Sequence, residues 1–285
     1  MCIFKKREKT EETGISVPMY ALSTEVKDDF SYDGESERDA GFKGLADALG
    51  VKEERVKNDC KYHLIKKITS GIGDLTVRFS PTDEEMNLKA GFLTDFGVGE
   101  FCVAPLYIKR FMKKKGKPDD KLSVIVDFPF GETSFSAKKS EIKNCVSHGI
   151  KEITAVLPSS ILKENPKELK KEIRSLGKIR SAKVFAAIPA ENTDAAGIKN
   201  FLKAVARSGI YGSAFIFGKT DEKSFKEAET AIMKNKGAKP VKIIAEVTSA
   251  KVAYRLLAGG AYRVVTPYAE DICRELVAAA GFKAK

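Results

Sequence analysis

The stretch YGSAFIFGKT, residues 211–220, combines an apolar run with a glycine–lysine pair that could bind an anion. Residues 214–217 are apolar on both faces, as expected of a strand that is covered by helices. Gly218 and Lys219 follow at its carboxyl end, where α/β proteins commonly place a ligand. The strand itself carries no acid, amine or nucleophile. The stretch therefore predicts a binding position whose reacting group, if any, must come from elsewhere in the chain.

Cysteine and histidine residues form no pattern that is typical of a metal site. The five cysteines lie far apart without a Cys-x-x-Cys pair, and the chain has only two histidines. An odd number of unpatterned cysteines indicates reduced thiols rather than a disulfide framework or a zinc site. The chain also lacks the GxGxxG and GxxxxGK[ST] nucleotide loops. We therefore predict neither a metal nor a cofactor.

Charge divides the chain into two regions. Residues 1–59 hold 10 basic and 14 acidic side chains, a net charge of −4, whereas residues 60–285 hold 40 and 25, a net charge of +15. We predict that residues 1–59 are an extension, partly disordered and then helical, and that residues 60–285 form the folded domain. The basic domain would attract polyanions.

The distribution of apolar residues predicts a cytoplasmic protein. No run of 18 apolar residues is present, so we expect no membrane span. The opening residues, MCIFKKREKTEE, lack the apolar stretch of a secretory signal.

Beyond Asp74, short apolar runs alternate with helical stretches that carry charged faces. The alternation predicts a closed (β/α)8 TIM barrel, with an open doubly wound sheet as the alternative. In a barrel, the active site lies at the carboxyl ends of the strands. The predicted strands are DLTVRF, FCVAP, LSVIVDF, EITAVLP, AKVFAAIP, YGSAFIF, VKIIAEV and YRVVTP.

The order of several segments resembles the deoxyribose-phosphate aldolase family over about residues 70–275. DLTVRFSPTDEEMN is similar to the family's Asp-x-Thr opening, and FCVAPLYIKRF to its Cys-Val-x-Pro strand. VIVDFPFGETSFSAKKSEIKNCVSHGIKEI follows its Phe-Pro-x-Gly loop, its helix and its Gly-x-x-Glu-Ile continuation. The resemblance implies a class I aldolase barrel, a monomer or homodimer, and cleavage of 2-deoxyribose 5-phosphate through a lysine Schiff base.

The chain departs from the family pattern at the positions that the resemblance assigns to catalysis. Thr154 stands where the family has its aspartate, and Ala214 where it has the Schiff-base lysine. For the second lysine, an ungapped match gives Lys242, but the hydrophobic pattern gives Glu246, which we prefer. A methyl group cannot form an imine. We therefore predict a pseudoenzyme that lacks the catalytic residues of the family.

The phosphate site implied by the resemblance also lacks two of the family's glycine-containing loops. Gly218 and Lys219 match the family's glycine and the loop residue after it, and we retain them as a weak phosphate or sugar-phosphate site. The family's Gly-Gly after strand seven and its Gly-x-Ser-Ser after strand eight are absent from IIAEVTSAK and VVTPYAED. Pro267 donates no N–H to a phosphate, and Tyr268 would crowd the opening.

An active aldolase or lyase acting on a phosphorylated carbohydrate is the alternative. It would use a relocated lysine, Lys219 or Lys242, together with Asp74 or Asp127. This alternative requires a lysine amine within the barrel mouth, beside a carboxylate and buried enough to lose its proton near neutral pH.

Two basic clusters could bind an acidic protein surface, such as a cytoskeletal filament. KRFMKKKGKPDDK includes Lys113, Lys114 and Lys115, and PKELKKEIRSLGK places basic residues on one helix face. Interleaved glutamates make an ordinary solvated helix the alternative for the second cluster. The clusters lack interleaved stacking aromatics, which disfavours nucleic acid. The basic residues predicted to contact a partner in the second cluster are Lys167, Lys170, Lys171 and Arg174.

Overall fold

The computed structural model of the protein describes residues 35–58, 61–76, 82–109, 111, 120–191, 193–218, 222–235 and 237–281. The strands are β1 Ile72–Leu75, β2 Glu100–Val103, β3 Leu122–Val126, β4 Glu152–Val156, β5 Lys183–Pro189, β6 Gly212–Ile216, β7 Val241–Ile244 and β8 Arg263–Thr266. The α-helices are α1 Glu35–Leu49, α2 Glu53–Asn58, α3 Lys61–Ser70, α4 Asp83–Asp95, α5 Phe135–Ser147, α6 Ile161–Glu164, α7 Pro166–Leu176, α8 Ala195–Ala206, α9 Glu222–Asn235, α10 Ala250–Ala258 and α11 Ala269–Ala279.

The eight strands form one closed parallel barrel. Each strand pairs with its neighbours in sequence, and β8 pairs with β1. This closure confirms the predicted (β/α)8 barrel and excludes the open sheet, which would leave two strand edges unpaired. The first strand begins at Ile72, two residues before the predicted start, because Ile72 and Gly73 pair with Val264 and Val265 of β8.

Alternation of side chains along the strands divides the core into two parts. On β4, Ile153 and Ala155 belong to the large outer cluster that includes residues of the surrounding helices, whereas Val156 belongs to a smaller inner cluster. The inner cluster lies in the interior of the barrel. It consists of Leu75, Cys102, Ile125, Val156, Phe185, Ala187, Ala214, Ile216, Ile244 and Val265.

Helix α7 illustrates how the local sequence orients one face toward the barrel. The side chain of Asn165 caps its amino terminus, and Pro166 occupies the first turn, where no backbone N–H is required. The apolar residues recur at helical spacing and are buried, so the basic residues between them face outward. The buried residues of α7 are Leu169, Ile173 and Leu176.

Helix α1 lies within the predicted extension and contacts α10 and α11 of the barrel. A methyl group on Gly41 would lie 2.5 Å from the carbonyl oxygen of Ala280, and one on Gly44 would lie 2.5 Å from that of Ala279. The two glycines therefore permit the close approach of the helices. Residues 1–34, on which the rest of the extension prediction falls, lie outside the described residues.

Within the described part of the chain, none of the helices combines the length and the apolar character that a membrane crossing requires.

Candidate active site at the barrel mouth

The carboxyl ends of the strands surround a cavity of about 410 Å³. Leu75, Ile216 and Ile244 form its floor, and the loops that follow β3, β5, β6, β7 and β8 form its walls. Its lining is mostly apolar and includes Phe128, Phe130 and Phe217, and the loop residue Phe130 is exposed. Two carboxylates, Glu191 and Glu246, are the charged groups among its described lining residues. The cavity lies where barrel enzymes bind substrates, but the described lining contributes no amine.

Ala214 and Thr154 lie inside the barrel. Ala214 is the third residue of β6, is fully buried and belongs to the apolar inner cluster. Thr154 is buried two residues before the inward-facing Val156, so alternation places its side chain on the same inner face. These two residues, which the resemblance aligns with the family's lysine and aspartate, present only a methyl group and a neutral hydroxyl to the interior.

Lys242 of β7 lies in the lower interior, near the amino-terminal ends of the strands, at the centre of a charged network. Its Nζ is 2.7 Å from Oε1 of Glu100 on β2 and 2.6 Å from Oε1 of Glu152 on β4. Arg263 on β8 approaches the other oxygen of Glu100, with 3.2 Å between Nε and Oε2. The hydroxyl of Ser123 on β3 donates to Glu100. The network therefore joins five strands across the barrel.

Electrostatic attraction shifts the pKa values of two members of this network, Lys242 and Glu100. Burial alone would lower the pKa of Lys242, but the carboxylates of Glu100 and Glu152 more than offset it, and the pKa lies above its ordinary value of 10.5. Burial likewise acts to raise the pKa of Glu100, but Lys242 and Arg263 bring it below its ordinary value of 4.5. Lys242 is therefore an ammonium group at neutral pH. An ammonium nitrogen has no lone pair with which to attack a carbonyl carbon.

Lys242 and Glu246 lie at different depths of the barrel. Ile244, two residues after Lys242 on the same face of β7, forms part of the cavity floor, whereas Lys242 is fully buried below it and does not line the cavity. Glu246 follows β7 and lines the mouth. The relocated-lysine alternative required an amine in the mouth beside a carboxylate. The structure places this amine beside two carboxylates, but beneath the mouth.

The two aspartates of the relocated-lysine alternative have structural partners. Asp74 is fully buried and pairs with Lys89 of α4, with 2.9 Å between Oδ1 and Nζ. Burial raises the pKa of Asp74, even though Lys89 and a hydrogen bond from Thr76 oppose the shift. Asp127 accepts hydrogen bonds from the backbone and hydroxyl of Thr133 and lies 3.1 Å from Nζ of Lys138. It therefore anchors the loop between β3 and α5.

A carboxylate occupies the space beside Gly218. A methyl group built on Gly218 would lie 2.1 Å from Oε1 of Glu191, so that the glutamate packs directly against the glycine. Negative charge at this position would repel the phosphate that the sequence predicted there. Lys219, the other residue of the predicted phosphate site, lies outside the described residues.

The loops after β7 and β8 use their backbone N–H groups internally. The amide of Ala250 at the start of α10 donates to Glu275, and the amide of Val252 donates to the cap residue Ser249. The amide of Tyr268 donates to the hydroxyl of Thr266, and Pro267, which lines the cavity, has no N–H. These donors are therefore engaged within the protein rather than directed at an anion.

The described residues contain no group of three or more histidine, cysteine, aspartate or glutamate side chains that could hold a metal ion. Cys102, in the inner cluster, is buried, and burial raises the pKa of its thiol. Its thiol is therefore protonated and poorly nucleophilic.

The predicted partner-binding residues Lys167, Lys170, Lys171 and Arg174 are exposed on α7. Across the described ranges, their side chains form no ion pair with the interleaved glutamates. Residues 112–119, which include Lys113, Lys114 and Lys115, lie outside the described residues.

The charged network and the position of Glu191 in the mouth were not predicted from the sequence. One signal was available: each charged residue of the network is the first or second residue of its strand in the structure. They are Glu100 in β2, Glu152 in β4, Lys242 in β7 and Arg263 in β8.

The closed barrel, with a cavity at the carboxyl ends of its strands, has the architecture of a barrel enzyme. No protein-family model matches the chain. It is 30% identical over 112 residues to the deoxyribose-phosphate aldolase of Mycoplasmoides pirum, a match that covers 39% of this chain and 51% of that protein. It is 26% identical over 126 residues to that of Clostridioides difficile, which covers 44% and 57%. The chain thus spans about half the length of the curated relatives it matches.

Solved structures of the same kind share the fold. The tetrameric deoxyribose phosphate aldolase from Aeropyrum pernix superposes with a TM-score of 0.63 at 17% identity, covering 82% of this chain and 96% of that chain. A putative deoxyribose-phosphate aldolase from Coccidioides immitis gives 0.64 at 16% identity, covering 74% and 86%. At these identities the likeness shows the fold alone. Together with the sequence matches, it supports a relationship to the deoxyribose-phosphate aldolases.

Proposed function

We propose that this chain is an aldolase-like barrel that does not cleave 2-deoxyribose 5-phosphate and instead acts in the cytoplasm as a binding protein for an acidic partner. The observation that carries the first part is the buried methyl group of Ala214 at the inward position of β6. Schiff-base chemistry requires an unprotonated primary amine within reach of the substrate carbonyl. Ala214 cannot supply one. Lys242 pairs with Ala214 on the neighbouring strand, but Glu100 and Glu152 hold it as an ammonium group below the cavity floor.

The chemistry of the mouth supports the same proposal. The cavity is apolar, and its two described charged side chains are glutamates, which would repel a sugar phosphate. Any phosphate or sugar-phosphate contact at Gly218 and Lys219 would therefore be weak. A ligand of this kind is a secondary part of the proposal, and it requires no turnover.

A turnover assay tests the loss of aldolase activity. The purified chain is incubated with 2-deoxyribose 5-phosphate, and release of the aldehyde products is followed beside a deoxyribose-phosphate aldolase as a positive control. We expect product at the rate of the enzyme-free reaction. Product formation above that rate, abolished by Lys242→Met under conditions in which circular dichroism shows that the variant is folded, would instead establish an active enzyme.

That outcome defines the second candidate function, a lyase with relocated lysine chemistry. One observation favours it: the amine of Lys242 lies inside the barrel beside two carboxylates, which could exchange protons with it. For this function, the network would have to open and expose Lys242 to the mouth. Turnover that survives Lys242→Met would require another amine, such as that of Lys219.

The exposed basic face of α7 supports the partner-binding part of the proposal. Its cations are not neutralised by described acidic neighbours, and the domain carries a large net positive charge. Binding through this face should weaken as salt concentration rises. The chain could act as a monomer or homodimer in this role.

A further inference from the structure

A groove on the outer surface, between α7 and α8, collects cations from two helices. It has a volume of about 240 Å³ and lies on the outside of the barrel, with a lining distinct from that of the mouth. Lys170 and Arg174 border it from α7, and Lys203 and Arg207 border it from the end of α8. No aspartate or glutamate is among the described residues that line it.

The four cations have no described partner. Within the ranges that the structure covers, none of their side chains forms an ion pair or a hydrogen bond with another residue. All four residues are exposed. A helix dipole favours basic residues at a carboxyl terminus, which accounts for Arg174 and Lys203 near their helix ends. The helix dipole does not explain why four cations border one groove whose described lining contains no aspartate or glutamate.

The floor of the groove is apolar. Leu162, Leu169 and Ala204 lie between the two rows of cations, and Asn200 adds one amide that can both donate and accept hydrogen bonds. A simple anion would use the cations and leave the floor uncovered. A peptide with acidic and apolar side chains would contact the cations and also cover the apolar floor.

The spacing of the cations suits a peptide. Each pair is separated by four residues, which on a helix corresponds to a rise of about 6 Å. In an extended chain, side chains two residues apart lie on one face with a separation of about 6.7 Å. Acidic side chains at alternate positions could therefore meet successive cations along the groove.

We infer that the groove between α7 and α8 is the docking site for an acidic peptide segment of a partner protein, with Lys203 and Arg207 as contact residues in addition to Lys170 and Arg174. The inference rests on the proposed partner-binding function and specifies its location. The groove contains no aromatic side chain among its described lining residues, so it offers no stacking platform for the bases of a single-stranded nucleic acid.

Fluorescence anisotropy with a labelled peptide tests the inference. The probe is a synthetic peptide in which glutamate alternates with leucine and serine, and the control peptide has glutamine in place of each glutamate. We expect the full chain to bind the glutamate peptide with an affinity that falls as salt rises, and to bind the glutamine peptide at least about tenfold more weakly.

Three charge-reversal variants locate the binding. Lys203→Glu with Arg207→Glu changes the groove, Lys167→Glu with Lys171→Glu changes α7 outside the groove lining, and Lys143→Glu with Lys234→Glu is a control of equal charge at exposed sites elsewhere. We expect a loss of at least about tenfold for the groove variant and less than about threefold for the control. Circular dichroism melting checks that each variant is folded. If the groove variant melts early, Lys203→Gln with Arg207→Gln replaces it.

The remaining outcomes distinguish failure of the groove inference from failure of the partner-binding proposal. If only the Lys167 and Lys171 variant loses binding, the partner-binding function stands and the groove inference is overturned. Equal losses in the groove and control variants would show diffuse attraction to the net charge, which also overturns it. If the wild-type chain does not bind the glutamate peptide, both the groove and the partner-binding proposal fail. A single-stranded RNA that binds more tightly than the peptide, and loses affinity on groove reversal, would assign the groove to nucleic acid instead.

Discussion

The lower interior of the barrel and its mouth are lined by different kinds of side chain. In the lower interior, Glu100, Glu152, Lys242 and Arg263 form a buried charged network that joins four strands directly. In the mouth, the described lining is apolar apart from two glutamates, and the amine that Schiff-base chemistry needs is missing from it.

A lysine inside a barrel is therefore not in itself a catalytic lysine. A reactive amine must lose its proton near neutral pH and must reach the substrate. Lys242 meets neither condition, because two carboxylates hold its proton and the floor of the cavity separates it from the mouth. In the folded structure its ammonium group compensates the negative charge of Glu100 and Glu152.

We expect Lys242→Met to destabilise the protein more than the other substitutions considered below. Removing the ammonium leaves Glu100 and Glu152 without their shared partner, and breaking such a buried pair typically costs about 3–5 kcal/mol. Urea unfolding followed by circular dichroism measures the change. The exposed Lys143→Met is the matched control, with an expected change within about 0.5 kcal/mol. A loss below about 1 kcal/mol for Lys242→Met would contradict a structural role for the network.

The second effect is the dependence of stability on pH. The pKa of Glu100 is lowered on folding, so its contribution is present above its unfolded pKa near 4.5 and is lost as pH falls through the lower folded value. The pKa of Lys242 is raised, so its contribution is present below its unfolded pKa near 10.5 and is lost as pH rises through the higher folded value.

Unfolding measured across pH with wild type and Glu100→Gln checks these signs. At acidic pH, the free energy of unfolding of the variant should fall less steeply with decreasing pH than that of wild type. The difference in slope should be as much as about 1.4 kcal/mol per pH unit, which is the contribution of one linked proton. If wild type and Glu100→Gln lose stability equally as the pH falls, the pKa of Glu100 is the same in the folded and unfolded states.

The smallest effect concerns the mouth. Glu191→Gln with Glu246→Gln should change the free energy of unfolding by no more than about 0.5 kcal/mol for each site. Removing the two carboxylates should tighten the binding of inorganic phosphate by a few fold, since repulsion is reduced. Isothermal titration calorimetry measures the affinity. A destabilisation as large as that of Lys242→Met would erase the distinction between the two ends of the barrel.

The sequence predicted the barrel because strands and helices alternate through most of the chain. The inward position of Ala214 followed from the hydrophobic pattern of its strand. The assignment of Glu246, rather than Lys242, to the family's second-lysine position stays a prediction. The network could not be predicted in the same way, since Glu100 and Lys242 are 142 residues apart and meet only when the barrel closes. Similarly, the basic face of α7 can be identified from its sequence. That Lys203 and Arg207 of α8 border the same groove depends on how α7 and α8 pack.

Borohydride trapping tests the central claim, that no amine of the barrel forms an imine with the substrate carbonyl. The chain is mixed with 2-deoxyribose 5-phosphate and sodium borohydride over a range of pH, and intact-mass spectrometry reports any reduced adduct, with a deoxyribose-phosphate aldolase as the positive control. We expect an unmodified mass for this chain at neutral pH under conditions that label the control. An adduct that peptide mapping places on Lys242 or Lys219 would show instead that the barrel retains Schiff-base chemistry.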